Sequence, residues 1–310
     1  MQTRKSSEIS SVSPRENQLR AVGFLVVSIL PAAWVWISMR SLAEITLRDD
    51  TYSHIPLIPL VSLYLIFWDR KRIFSQPSSG WKLGGIFFLG GVACFILGQL
   101  RFWSGVPQNV LSFEALGIVL AWAAAFALFF GSKALRAASF PFLFLLFMVP
   151  IPEPILSRTI FLLQQGSASS AAFLFNLFRI PFLRQGFDFL LPGVTIRVAE
   201  ECSGIRSTLA LIIMSVLAGH IFLRKFPSRT ILCILVFPFT VFKNGLRIMV
   251  LSALAIYVNA GFLHGRLHEY GGMVFFAAGL VPLAICLLLL QKSEAQNAKR
   301  LPAQVGAFGA

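Results

Sequence analysis

The sequence predicts an all-α polytopic integral membrane protein: a bundle of about eight transmembrane helices plus one interfacial or re-entrant helical segment. Three observations predict it. Of 310 residues, 56% are apolar and only 13% are charged, against about 45–50% and about 25% in ordinary globular chains. The mean hydropathy is +0.76. The apolar residues come in runs close to the ~20 that cross a bilayer, and basic residues gather in the polar breaks between them. A soluble fold cannot hide that much apolar surface, so a water-soluble enzyme, a disordered tail and a nucleic-acid module all fit poorly. The net charge of +14 belongs to loops on one side of a membrane, not to a DNA-binding face. The cysteines (Cys94, Cys202, Cys233 and Cys286) are too few and too scattered for a disulfide framework or a zinc ribbon.

Residues 1–20 are polar, carry Arg4, Lys5, Arg15 and Arg20, and read as a cytoplasmic tail. Ala21–Met39 is the first span. It exceeds the ~7–15 apolar residues of a signal peptide, so it is expected to stay uncleaved although Ser41-Leu42-Ala43 follows it. Further spans are expected at 55–68, 83–100, 109–131, 137–151, 205–223, 230–258 and 272–290. The second and fifth of the eight are short and flanked by proline. Segment 155–178 begins apolar and turns small and polar at Gln164-Gln165-Gly166-Ser167-Ala168-Ser169-Ser170. It reads as a helix that lies in the interface or dips in without crossing. Pro152-Glu153-Pro154 before it reads as a proline-rich turn. Residues 291–310 form a second cytoplasmic tail, leaving 21–290 as the transmembrane domain.

With these crossings the basic loops fall on one side: Arg70, Lys71, Arg72 and Lys82, then Lys133 and Arg136, then Arg224, Lys225 and Arg229, then Lys292, Lys299 and Arg300. The positive-inside rule makes that side cytoplasmic, with both termini inside. Segments 183–204 and 259–271 then lie outside. Arg247 stands about 26 Å along its helix from Thr230, near the outer surface. Three polar clusters converge on that face, placed there by loop charge alone.

The first cluster is Ala199-Glu200-Glu201-Cys202-Ser203-Gly204-Ile205-Arg206-Ser207, with Ser203 a plausible helix N-cap. A thiol at a helix N-terminus beside Arg206 is shifted toward thiolate, the nucleophilic form; Glu200 and Glu201 oppose that shift. The bland reading, cysteine as a small apolar residue, suits Cys94, Cys233 and Cys286 inside their apolar runs. The second cluster, Lys243-Asn244-Gly245-Leu246-Arg247, interrupts an apolar run. A charge within a span is costly and marks a functional candidate. The guanidinium of Arg247 suits a carbonyl, a carboxylate or an oxyanion; snorkelling to the headgroups is its alternative, and a purely local pair is that of Lys243. The third runs from His264 to Gly272 and includes His268-Glu269-Tyr270-Gly271. An imidazole there can act as general base and acid. His264 and His268 sharing a metal with Glu200, Glu201 and Cys202 is the minor alternative, since no second tight ligand pair exists. Thiol, guanidinium and imidazole together make up the inventory of a cysteine-dependent acyl transfer.

Glu201-Cys202-Ser203-Gly204-Ile205-Arg206-Ser207, then Asn244-Gly245-Leu246-Arg247, then His268 with Gly272 and Phe276 resemble the exosortase/archaeosortase family. Tyr52-Ser53-His54 with Pro59 resembles its N-terminal region, so the likeness runs from about Tyr52 to Phe276. The resemblance implies a membrane-embedded cysteine transpeptidase whose catalytic set is Cys202, Arg247 and His268. Asn244, Arg206, Ser203 and His54 are its supporting or substrate-binding candidates. His54 either lines the outer cavity or caps the second span. The implied partners are exported proteins ending in a short motif, a membrane helix and a basic cluster, within a lipid bilayer and with no nucleic acid. The implied setting is the cell (inner) membrane with the site on the extracytoplasmic face. No metal or organic cofactor is implied, and the oligomeric state is not specified. A multi-spanning transporter and a non-catalytic helix-binding partner are the alternatives; an inverted repeat would favour the first, and none is visible.

Overall fold

In a computed structural model of the chain, residues 50–75, 78–100, 106–200, 203–263 and 266–307 are described, with 22–24, 26, 27 and 40 besides. At 50, 260, 263, 266–273 and 299–307 only the backbone is. The expected first span falls almost wholly outside these residues. The chain divides into two compact units, Met1–Glu153 and Pro154–Ala310.

The first unit holds α1 (Leu57–Trp68), α2 (Arg70–Ile73), α3 (Trp81–Gly98), α4 (Pro107–Phe130), α5 (Ser132–Ala137) and α6 (Ser139–Phe144). A 3-10 turn, Leu145–Met148, continues α6. Pro107 opens α4, where its missing N–H costs nothing, and Gly131 closes it at φ +93°.

Helices α3 and α4 pack antiparallel through glycine. A Cβ on Gly91 would lie 3.1 Å from the Gly117 carbonyl oxygen, and one on Gly117 would lie 3.2 Å from that of Gly91. Gly84 faces Ala124 and Leu128, while Gly98 faces Val110 and Phe113. Gly84, Gly91 and Gly98 are all buried, whereas Ile86, Phe88, Leu89 and Ile96 on the same helix are exposed. Small residues inward and large apolar ones outward is the pattern of helices packed in lipid, where close backbone approach takes over the role of a hydrophobic core. Gly91→Leu is therefore expected to cost about 1–3 kcal/mol through overpacking, read as a lower thermal midpoint of the detergent-solubilised protein.

The second unit opens with α7 (Glu153–Leu177). Arg179 leaves the helix in the left-handed region at φ +55°, and the Ile180 N–H donates to the Phe175 carbonyl at 2.9 Å. This is a Schellman-type stop that turns the chain out of the helix. A three-stranded antiparallel sheet follows in the order β1 (Leu183–Gln185), β2 (Asp188–Leu191), β3 (Val194–Arg197). Its hairpins turn at Gly186 (φ +62°) and at Pro192-Gly193 (Gly193 φ +76°), residues that tight turns require. Phe189 of the sheet packs with Ala168, Ala171 and Phe175 of α7 and with Ile248 and Met249 further along.

Three long helices complete this unit: α8 (Ile205–Phe222), α9 (Phe226–Tyr257) and α10 (Arg266–Ala307). They pack around Leu211, Leu223, Leu232, Val236 and Leu283. Glu294 of α10 accepts the Arg224 and Lys225 N–H groups at 2.8 and 3.0 Å, satisfying donors at the start of α9 and placing a carboxylate on its positive end.

Among the described residues, five helices are long and apolar enough to cross a membrane: Trp81–Gly98, Pro107–Phe130, Ile205–Phe222, Phe226–Tyr257 and Val274–Ala298 within α10. Ser139–Met148 and Glu153–Leu177 make a sixth if that broken pair is one span. The chain is thus an all-α polytopic membrane protein carrying one small sheet that the sequence did not predict. Among the described residues the number of spans is smaller than the expected eight. Expected span 55–68 is only the 12-residue α1, about 18 Å of helix against a hydrocarbon core of about 30 Å. Expected span 137–151 is broken after Met148, where Pro150 and Pro152 interrupt helical hydrogen bonding. The turn expected at Pro152-Glu153-Pro154 is the start of α7.

Candidate active site

Helix α8 begins at Ile205, and its N-cap is Gly204, not the expected Ser203. The physical reason is backbone geometry: Gly204 sits at φ +84°, which glycine adopts without penalty. Ser203 is fully buried, and its Oγ still accepts the Ile205 N–H at 3.4 Å. The Gly204 carbonyl accepts three donors: the Thr208 N–H at 3.0 Å, Thr208 Oγ1 at 2.8 Å and Ser207 Oγ at 2.9 Å. The turn after Cys202 is therefore tightly held.

Helix α9 supplies the opposing wall. Lys243, Asn244 and Gly245 are all buried in mid-helix. Asn244 Nδ2 donates to Ser167 Oγ of α7 at 3.0 Å. A Cβ on Gly204 would lie 3.3 Å from Asn244 Cγ, so the Cys-Ser-Gly turn rests on the asparagine of the Asn-x-x-Arg stretch. Lys243 Nζ donates to Ser207 Oγ at 2.6 Å, which identifies the local partner of that lysine. Gly245 brings α9 against α7: a Cβ there would lie 2.5 Å from Ser170 Cβ and 2.9 Å from the Ala171 nitrogen.

Helix α7 holds the other end of the segment, through a hydrogen bond from Gln164 Nε2 to the Val198 carbonyl. Val198 is thus held from α7, and Gly204 from α8 and α9. Gln164 and Ser167 of α7 are candidate-site positions that the sequence does not single out. Its signal was visible: Gln164, Ser167, Ala168 and Ala171 are buried together and recur at the spacing of one helix face. The polar stretch looked like an interfacial surface; it is the face that packs inward.

The structure brings Ser203, Gly204, Ser207, Lys243, Asn244 and Ser167 together. Arg247 is half-buried one turn past Lys243 on α9, and Arg206 is exposed in the first turn of α8. Cys202, Glu201 and His264 lie outside the described residues; Cys202 is bonded to the buried Ser203. His268 falls in the first turn of α10, which runs as continuous helix through Gly271 and Gly272. Gly279 of α10 stands level with Lys243, its Cβ position 3.1 Å from Lys243 Cδ. Arg247 is four residues, about 6 Å, from that level, and His268 eleven residues, about 16 Å, toward the same end of the α9–α10 hairpin.

His54 lies in the first unit. Its Nε2 is 3.2 Å from the Phe147 carbonyl, tying the turn before α1 to the 3-10 turn after α6. Nearby, Gln108 donates to Tyr52 Oη at 2.7 Å and to the Ile151 carbonyl at 2.6 Å, and Asn109 Oδ1 accepts the Glu153 N–H at 2.7 Å. Burial pushes the His54 imidazole below its ordinary value, while the Phe147 and Thr51 backbone oxygens pull it back part of the way. The folded state therefore holds His54 neutral at pH values where the unfolded chain, with an ordinary pKa of about 6.5, takes up a proton. Stability is complete above that value and falls as pH drops below it. A thermal midpoint that declines from pH 7.5 to pH 5.5, with a shallower decline in His54→Gln, is the expected result.

A family model described as transmembrane exosortase matches residues 45–285. The chain belongs to the transmembrane exosortases. The match spans the Cys-Ser-Gly turn, Asn244, Arg247 and His268, so all three polar clusters fall inside the family region, and it makes the chain a multi-pass member of that membrane family. No curated protein and no solved structure matches the chain.

Proposed function

We propose that this exosortase is a cysteine transpeptidase that cleaves the C-terminal sorting signal of exported proteins at the extracytoplasmic face of the cell membrane and passes them to an acceptor. The observation that carries the reading is the contact of Gly204 with Asn244. It sets the residues after Cys202 against the helix that bears Arg247. Both termini are cytoplasmic in this reading, from the one-sided distribution of loop cations.

The chemistry follows from the residue types. The Cys202 thiolate attacks the scissile carbonyl carbon, forming a C–S bond. Arg247 stabilises the resulting oxyanion. One N–H of Asn244 is already given to Ser167, so that N–H does not serve the oxyanion. His268 gives a proton to the departing amine as the C–N bond breaks, leaving a thioester. An acceptor nucleophile then attacks the thioester, His268 takes its proton, and the Cys202 sulfur leaves. The backbone of His268 stands about 10 Å further along the hairpin than that of Arg247, a separation across which the two side chains and a substrate carbonyl can meet. Limited water at a membrane-buried site favours transfer over hydrolysis.

The test is to co-express the protein with an exported client carrying a C-terminal motif, a membrane helix and a basic cluster. The expected result is a shortened client and, on acid quench, a client–enzyme thioester sensitive to hydroxylamine. Arg247→Lys is expected to lower processing by about 10²–10³-fold, because a point charge does not replace a planar fork at an oxyanion. Processing at the unaltered rate in Arg247→Lys would remove the oxyanion role.

A further inference from the structure

Lys243 has no part in the cysteine, arginine and imidazole chemistry above, yet its side chain is only 7% exposed. A buried ammonium is costly unless something specific holds it. Its partner is Ser207 Oγ at 2.6 Å, and Ser207 Oγ in turn lies 2.9 Å from the Gly204 carbonyl oxygen. An ammonium donates and never accepts. Ser207 must therefore accept from Lys243, and its own proton is directed at Gly204. A neutral residue that both donates and accepts would leave that direction open; a lysine sets it. The hydrogen bonds run from α9 to the carbonyl immediately before α8, and each strengthens the next.

The stem of Lys243 is accommodated as closely as its head. Gly279 of α10 borders it, the glycine Cβ position lying 3.1 Å from Lys243 Cδ. A side chain on α10 at that point would press on the lysine stem. Arg247 is one turn further along the same helix, and Arg206 is next to Ser207 in the chain. Among the described residues no carboxylate pairs with Lys243.

We propose that Lys243 is a positioning residue that acts through Ser207 to set the Gly204 carbonyl, and with it the turn that carries Cys202. This rests on the reading of Cys202 as the nucleophile, but its test does not depend on a client. Cys202 directly precedes Ser203-Gly204 in the chain, so releasing that turn frees the backbone beside the thiol, and its reactivity is expected to fall.

The experiment uses the full chain in native membranes, with iodoacetamide as the probe. Labelling at pH 7.5 is followed separately at Cys202 and at Cys233. Cys233 lies 3.6 Å from Ser215 Oγ between α8 and α9 and reports whether those helices stay packed. Lys243→Met keeps the stem and removes the donor; Ser207→Ala removes the link. Each is expected to slow Cys202 labelling about tenfold, the effect of one pKa unit, with Cys233 unchanged. The double variant is expected to be no slower than either single one, because both break one path. Lys243→Arg, still a donor-only cation, is expected to recover most of the rate. Unchanged Cys202 labelling in both single variants would overturn the proposal. So would multiplying effects in the double variant, or slower Cys202 labelling accompanied by faster Cys233 labelling, which marks a general loss of packing. Normal client processing by Cys202→Ala would sink the transpeptidase reading instead and leave the labelling result standing.

Discussion

Cys202→Ala is expected to abolish client processing while the protein still inserts and stays folded. Loss of a lone nucleophile in a covalent mechanism costs about 10⁴–10⁶-fold, which in a gel assay is complete loss. The substitution removes one sulfur and adds nothing. The neighbouring anchors do not involve the thiol: Gly204 keeps its three donors, and Val198 keeps Gln164. Insertion and thermal midpoint should therefore match the parent within about 0.5 kcal/mol. Cys94, Cys233 and Cys286 serve as controls, since each lies within an apolar helix, and their alanine variants should process normally. Processing by Cys202→Ala at the parental rate would end the proposed mechanism, whatever the other residues do.

Gly245→Leu is expected to disassemble the second unit. The first added carbon alone would meet the Ser170 hydroxyl, lie 2.5 Å from Ser170 Cβ and reach 2.9 Å from the Ala171 backbone nitrogen. Two of the three obstacles sit on or beside the α7 backbone, so no rotamer change clears them. Helix α7 must move away from α9, and that breaks the Asn244–Ser167 hydrogen bond next to the glycine. Overpacking costs about 1–3 kcal/mol where side chains can yield; here the helix itself must shift, and the buried Asn244–Ser167 hydrogen bond is lost as well. Loss of the folded protein in detergent, by size exclusion and thermal unfolding, is the expected outcome. Gly245→Ala should show a weaker form of the same defect. A normally folded Gly245→Leu protein would mean that α7 and α9 are not in close contact at this point.

Much of the candidate site was legible in the linear sequence. Ser203-Gly204 before an apolar helix, and Asn244 with Arg247 interrupting another, are local patterns, and they fall at the start of α8 and within α9. The small sheet was missed although its signals were present: Gln185-Gly186 and Pro192-Gly193 are turn pairs flanking Phe189-Leu190-Leu191 and Val194-Thr195-Ile196. The long apolar runs on either side outweigh them, because a chain this apolar reads as helical throughout. The N-cap was displaced by one residue because side-chain preference favours serine, while the backbone at that point needs a positive φ.

Residue order alone was enough for the membrane class, the helical character and the stretches that bear thiol, guanidinium and imidazole. Those follow from how each short segment partitions between lipid and water, which depends on its own composition. Residue order did not reveal that the polar side of α7 faces inward, that Lys243 reaches Ser207, or that Gly204 rests on Asn244. Such pairings depend on how each helix is rotated about its axis and how closely its neighbour approaches. Glycines set that approach here: Gly245 against α7, Gly279 against the lysine stem. A missing side chain carries no sign of what will occupy its place until the helices are packed together.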